Sequence, residues 1–436
     1  MKTPSLLTIH LIAIALIQSS PAKELSEMKV LYVGSERPAD FGNFLKSKVA
    51  RFEARPRGDF KARDAEPFDV VLLEWPQSAE TREMRKLASP LGARENWTKP
   101  TVLLGSAGLN LAVAWQMKGG IGCTCMDPIA YDLREHEIFE RPFKIDRSKM
   151  ISIPTPEDFR AEIKEPEIKV LSLVHDYKRN WSPGWCTYSY DFASNPDVEF
   201  FSGGVNHKTP TAAGLWRQGN LLHFGFEQSP AEMNEQGQLL LHNSIAYISR
   251  FKEDRPIAVT VSVFAGPVAR PRDTISKWLR NPKYQVEWVK EMMTPELWAK
   301  VSPLDREKMA DWFDQNKAFL HPNTNQQLEL DRDLMELGVA FDQPEFFDKT
   351  LAGLRAGGDT AKRARQLLDR YVPCGPKGGS AVEWDAWKQE NQKYLFASDS
   401  GDYCWYIDPL AKKRGISTDK LRGPMRADGM KVTADR

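Results

Sequence analysis

Net charge is almost missing from this chain. Its 60 Lys and Arg stand against 59 Asp and Glu, leaving a formal charge of +1. Proteins that hold nucleic acid electrostatically carry a basic bias, so that class is excluded. Cysteine is scarce too, with five in 436 residues, which rules out a disulfide scaffold and, being odd, leaves at least one unpaired within the chain. Beyond the first residues no run is apolar enough to cross a bilayer, so the mature chain is expected to have no transmembrane segment. Apolar residues are not lacking: they make up 41% of the chain, enough for real cores in two domains.

The N-terminus reads as a processing signal. Lys2 supplies a positive start, Leu6 to Ile17 is a short apolar run, and Ser20-Pro21-Ala22 offers small residues for cleavage. Residues 1–22 are therefore expected to be a signal peptide. The mature chain would start near Lys23 and be periplasmic or extracellular. Export permits disulfides. Cys374 and Cys404 share the C-terminal region and form one candidate pair. Cys123 and Cys125 are too close for an easy mutual disulfide, and each has other candidates, Cys186 for instance. A thiolate from this Cys-Thr-Cys run is also a candidate metal ligand or nucleophile, although one such pair lacks zinc-finger spacing.

From residue 23 to 255, apolar runs of strand length alternate with helical stretches. Strands are expected at Met28–Val33, Phe68–Glu74, Pro100–Leu104, Ile168–Val174, from Val198, and from Leu221. Helices are expected over Asp40–Phe52, Ala79–Leu87, Leu109–Met117 and Pro230–Phe251. This pattern predicts an α/β fold with a largely parallel sheet and helices on both faces. Residues 256–372 open with the strand-like run IAVTVSVFAG and then read as short amphipathic helices, with tryptophans expected in their core. Residues 373–425 are rich in Trp and Tyr, and 426–436 read as a disordered tail.

Polar groups collect where strands should end. Gly105-Ser106 follows the third strand, as a glycine turn able to approach a ligand or start a helix. It is also a candidate elbow, with Ser106 as nucleophile, but without Gly-x-Ser-x-Gly spacing. His175 and Asp176 follow the IKVLSLV run, Asn206 and His207 occupy the loop after Gly203-Gly204, and Glu227 follows LLHFGF. Groups beyond strand carboxyl ends are the usual ligand contacts of open α/β sheets. His136, His175 and His207 are a candidate divalent-metal set, and Asp176 or Glu227 a candidate general base. His223, inside a strand, is expected to face either the core or the pocket.

Gly119-Gly120, the stretch Tyr131 to Phe139, and the segment GNLLHFGFEQSP from Gly219 to Pro230 carry a family likeness. The part from about Lys29 to Phe251 resembles the ThuA-like (trehalose-utilisation) family of the class I glutamine amidotransferase-like superfamily. His136-Glu137-Ile138-Phe139 takes the place of that family's His-Pro-Ile turn, with Glu137 where the family has proline. Arg217 to Asn220 is similar to its final hairpin before the closing helix. The likeness implies a flavodoxin-like sheet. Glutaminase chemistry needs a cysteine on the strand-to-helix elbow, and Leu104 to Gly108 contains Ser106 instead. The layout as a whole resembles exported proteins of planctomycete type.

Three readings follow. The first is a ligand-binding domain for a carbohydrate or related polar metabolite, with a pocket lined by His175, Asn206, His207 and Glu227 and a helical region that offers a surface to a protein partner. The second is a metal-assisted hydrolase or isomerase of sugar derivatives. The third is a catalytically inactive cell-envelope interaction protein. The sequence identifies no cofactor.

Overall fold

The computed structural model describes residues 24–76, 88–115, 117, 122–178, 184–189, 194–206, 208–257, 272–399 and 403–422, with backbone alone at 122–124. The expected signal peptide, the helix at Ala79–Leu87, Gly119-Gly120, His207, most of the IAVTVSVFAG run and the C-terminal tail lie outside the described residues.

The first half is built on one sheet. Its strands are β1 (Lys29–Val33), β2 (Arg51–Arg55), β3 (Val70–Glu74), β4 (Thr101–Leu104), β5 (Gly122–Tyr131), β6 (Ile151–Pro154), β7 (Glu167–Ser172), β8 (Gly184–Tyr188), β9 (Val198–Asn206), β10 (Ala212–Gln218) and β11 (Leu221–Phe224). Five pair in parallel in the order β2-β1-β3-β4-β11. Taken along the chain this is the 2-1-3-4-5 order of flavodoxin-like folds. From β11 the sheet continues antiparallel through β10, β8, β5, β7 and β6, and β9 pairs with both β10 and β5.

Strand residues alternate between two faces, and here both faces are covered. Val30, Tyr32, Leu72, Val102 and Phe224 join one apolar cluster with Phe41, Leu45, Leu240 and Ile245. These last four come from α1 (Pro38–Leu45) and α3 (Glu235–Ile248). Leu31, Val33, Leu73 and Leu103 join the other cluster with Ala107 and Leu111 of α2 (Ala107–Ala114). Burial on both faces explains the near-continuous apolar runs of β1, β3 and β4. The helix expected over Asp40–Phe52 stops at Leu45, because Arg51–Arg55 pairs with β1 as an edge strand. The closing helix starts at Glu235, five residues later than expected, where the Asn234 side chain accepts a hydrogen bond from the Gly237 amide.

The second half carries α4 (Thr274–Arg280), α5 (Val286–Glu291), α6 (Pro295–Val301), α7 (Arg306–Asn316), α8 (Arg332–Leu337), α9 (Glu345–Ala356), α10 (Gly358–Tyr371), α11 (Ala381–Asn391), α12 (Pro409–Arg414) and α13 (Thr418–Arg422). Two small hairpins, β12/β13 (Leu320–Pro322, Leu328–Leu330) and β14/β15 (Leu395–Ser398, Cys404–Ile407), sit among them. Caps set the helix starts: Thr294 for α6, Asp305 for α7, and a Ser380/Glu383 capping box for α11. One apolar cluster runs from Ile275 to Trp405 and includes Phe313, Tyr371 and Trp384. Lys412, Lys413 and Arg414 fill the last turn of α12, as expected of a solvated helix end.

The cysteines correct the expected pairings. Cys125 is in a disulfide whose partner side chain lies outside those described, whereas Cys186, Cys374 and Cys404 are thiols. Cys374 Sγ donates to the Trp405 carbonyl and Cys404 Sγ to the Arg370 carbonyl, both at 3.6 Å, so the two sulfurs point at different partners. Cys186 Sγ accepts from Asn206 Nδ2 at 3.5 Å. Within the disulfide, Cys125 is neither a metal-binding thiolate nor a nucleophile.

Ion pairs join the halves, among them Lys413 with Glu253 at 2.6 Å. Arg422 of α13 pairs with Asp254 and Asp408, all three nearly inaccessible. Lys283 donates to Asp158 Oδ1 at 2.6 Å and to the Lys208 carbonyl at 2.8 Å.

Candidate functional site

The carboxyl ends of β1, β3, β4 and the segment after β11 bring a compact set of polar groups together. Glu74 is the last residue of β3 and is 1% exposed. The hydroxyl of Tyr32, from β1, donates to it, and the Arg37 guanidinium, from the loop after β1, forms a close ion pair with it. Arg37 N–H donates to the Tyr32 oxygen at 3.1 Å, and its guanidinium also donates to the Glu227 carbonyl. Arg57 donates to the Glu74 carbonyl at 3.0 Å and pairs with Glu36. A buried carboxylate needs this degree of satisfaction to be tolerated. The Tyr32 hydroxyl is held well above its ordinary range by burial and by the Glu74 charge.

Glu227 stands opposite Glu74. Its Oε2 accepts from the Ser106 amide at 2.9 Å, at the start of α2, and its carboxyl also engages the Ser106 hydroxyl. Gly105 makes this approach geometrically feasible. Its φ is +51°, and a Cβ there would lie 1.9 Å from Glu227 Oε2, so only glycine fits. The Gly105 amide donates to the Phe224 carbonyl at 2.8 Å, which locks the turn to β11. Burial pushes the Glu227 carboxyl up to about 7, with the neighbouring Glu74 charge adding to the effect, while the Ser106 contacts and Arg37 work the other way. A carboxyl that exchanges its proton near neutrality is poised for acid–base work.

The predicted site residues are only partly gathered. Gly105, Ser106 and Glu227 meet. His175 and Asp176 are exposed beyond β7. Asn206 closes β9, its Oδ1 accepting from the Lys208 and Thr209 amides of the following turn at 3.1 and 3.0 Å. His136 accepts from the Ile138 amide at 3.1 Å through Nδ1 and packs against Phe201 and Tyr247. Of the expected pocket of His175, Asn206, His207 and Glu227, His207 lies outside the described residues, and the hydrogen bonds of Asn206 run to Cys186, Lys208 and Thr209. Among the described residues no group of three or more His, Cys, Asp or Glu is placed to hold a metal.

His223 faces the core. Its ring stacks on Trp216 at 3.8 Å and lies 5.0 Å from Trp185, with neither ring nitrogen hydrogen-bonded. Burial holds its pKa down at about 3, so it is neutral. Gly108 of α2 leaves room for this packing, since a Cβ there would lie 2.2 Å from the Trp185 ring.

Tyr32, Arg37 and Glu74 escaped the sequence reading. The signal was available: Glu74 is a charged residue closing the apolar run FDVVLL, and Arg37 lies just past Gly34 at the end of the first strand. The strand-end rule that selected Glu227 applies equally to both.

No protein-family model matches the chain, and no curated protein matches it. Among solved structures, the chain is similar to a protein assigned as a GMP synthase subunit, from Thermoplasma acidophilum. That match has a TM-score of 0.31 and 10% identity, and covers 51% of this chain and 94% of the other. It is also similar to PurLQS from Thermotoga maritima, with a TM-score of 0.26 and 11% identity, covering 51% of this chain and 99% of the other. At these scores the likeness carries no argument, and the fold class rests on the sheet. The fold and the site define a flavodoxin-like α/β domain with an acid–arginine cluster at its carboxyl edge. Among the described residues no helix is long and apolar enough to cross a membrane.

Proposed function

We propose that the chain is an exported ligand-binding protein that takes a carbohydrate or related polar metabolite at the carboxyl edge of its α/β sheet. The observation that carries this reading is Glu227. A carboxyl that titrates at about 7 is able to donate a hydrogen bond when protonated and accept one when ionised, and Arg37 beside it supplies further donors. Polyhydroxylated molecules both donate and accept, so such a pair suits them. The position beyond the strand ends supports the same reading. Lys2, the apolar run from Leu6 to Ile17 and Ser20-Pro21-Ala22 support export.

The contact between Ser106 and Glu227 favours one alternative, a hydrolase or isomerase of sugar derivatives. Glu227 would take a proton from the Ser106 hydroxyl or directly from the bound ligand.

Thermal unfolding of the mature chain against mono- and disaccharides, with and without chelator, tests both readings. A ligand that binds only the folded chain raises the midpoint. We expect a sugar-specific rise that survives chelator and disappears in Glu227→Gln. No rise with any sugar, or one indifferent to Glu227→Gln, refutes binding at this site. Product formation that requires both Ser106 and Glu227 establishes the enzyme reading.

A further inference from the structure

A second concave site lies apart from the sheet edge. A cleft of about 1510 Å³ opens between the antiparallel end of the sheet and the helical region. That exceeds the ~300–1,000 Å³ of ordinary small-molecule pockets. None of Tyr32, Arg37, Glu74, Ser106 and Glu227 lines it. One wall is hydroxylic, with Ser189, Ser194, Thr209 and Thr211 in a group. The other is aromatic, with Trp278 and Tyr284 near α4 and Phe347 and Trp405 deeper in. The Trp278 and Tyr284 rings are stacked, with centroids 4.7 Å apart and 3° between their planes.

Five acidic and five basic side chains line the cleft; seven of them pair with one another, while Arg280 pairs with Glu307, Asp311 and Asp314 outside it. Arg272 joins Asp342 and Asp399 while lying over the Phe341 ring. Lys388 pairs with Asp348 at 2.6 Å, and Lys277 pairs with Asp273. Ser194 Oγ donates to Asp399 Oδ1 at 3.0 Å, tying the two walls together. A cleft with no surplus charge gives a polyanion or polycation no Coulombic advantage. Its paired carboxylates and hydroxyls still offer a dense array of hydrogen-bond partners beside apolar ring faces.

From this combination we infer that the cleft between the two halves binds a neutral, polyhydroxylated chain of oligosaccharide size. Sugar rings present an apolar face to aromatic side chains and a hydroxyl rim to carboxylates and hydroxyls. Charge balance selects a neutral glycan over a uronic or sulfated one, and the volume selects several sugar units over one. This inference does not rest on the Glu227 site.

The test uses the mature full-length chain on an array of neutral and anionic glycans, followed by calorimetric titration with the best neutral oligosaccharide. Trp278→Ala is expected to weaken binding about tenfold, the value of one lost aromatic contact. Asp348→Asn, at a side chain 72% exposed, leaves the fold intact and is expected to weaken binding severalfold. Glu227→Gln is expected to leave it unchanged. The inference is overturned if no neutral glycan binds, if anionic glycans or a peptide are preferred, or if neither cleft variant alters affinity. Loss in Glu227→Gln alone would place the ligand at the sheet edge instead.

Discussion

Replacing Glu227 by glutamine should stabilise the protein above neutral pH and do almost nothing in mild acid. The wild-type carboxyl is raised from its ordinary 4.5 to about 7, first by burial. A raised carboxyl means that the folded chain holds this proton more tightly than the unfolded one. Below the ordinary pKa both states are protonated and the group contributes nothing. As pH rises from about 4.5 to about 7, the unfolded chain ionises first, and the native state falls behind. The full shift corresponds to about 3 kcal/mol at ~1.36 kcal/mol per pKa unit. Partial exposure reduces that to about 1–3 kcal/mol. Glutamine keeps the acceptor oxygen for the Ser106 amide and never ionises. Urea unfolding followed by tryptophan fluorescence, for both proteins between about pH 5 and about pH 8, measures the gap. A gap that opens with pH in favour of the variant is expected. A gap that stays flat, or a variant less stable at about pH 8, would refute the reasoning.

Three further outcomes follow from the same geometry. Glu74→Gln removes a charge that raises Glu227 and releases Arg37 toward it, so carboxyl NMR should show Glu227 titrating lower; an unchanged or higher value would contradict the coupling. Arg422→Met leaves Asp254 and Asp408 buried without their shared cation and should cost about 3–5 kcal/mol in urea unfolding at neutral pH. A loss below about 1 kcal/mol would show that the cluster is hydrated. In the native, unreduced protein a thiol reagent should modify Cys374, the exposed thiol, ahead of buried Cys186 and Cys404. Its own reaction should be slow, since its sulfur is turned toward the Trp405 carbonyl and this partial desolvation raises its pKa. Equal rates for all three thiols would contradict their placement.

The parallel half of the sheet was readable because each of its central strands is a short run of apolar residues bounded by turns. The runs ending at Val33, Glu74 and Leu104 pair as read. The edge strand β2 was missed, since RFEAR offers only Phe52 and Ala54 on its inner face, with Phe52 packed on the core, and Phe52 was absorbed into the preceding helical pattern. Glu227 and Ser106 were legible from strand-end position. Their contact was not, because it depends on the positive φ of Gly105 and on two segments 121 residues apart. The cysteines show a similar limit: closeness along the chain suggested Cys374 with Cys404, yet backbone carbonyls orient the two sulfurs separately.

Arg422 reaches back 168 residues to Asp254, which bears on the order of folding. During synthesis the sheet and its closing helix emerge long before that cation. Until then, Asp254 and the neighbouring Asp197, whose carboxyl is raised by burial and brought back down by Arg422 in the complete fold, have Arg217 as their only guanidinium among the described residues. The nascent first half would therefore pass through a softer, more acid-tolerant state, with its lower edge carrying excess negative charge. Arrival of Arg422 would convert that edge into a closed ionic seam. A fragment ending near Ile257 would be arrested in the softer state, with the apolar sheet complete and the seam open.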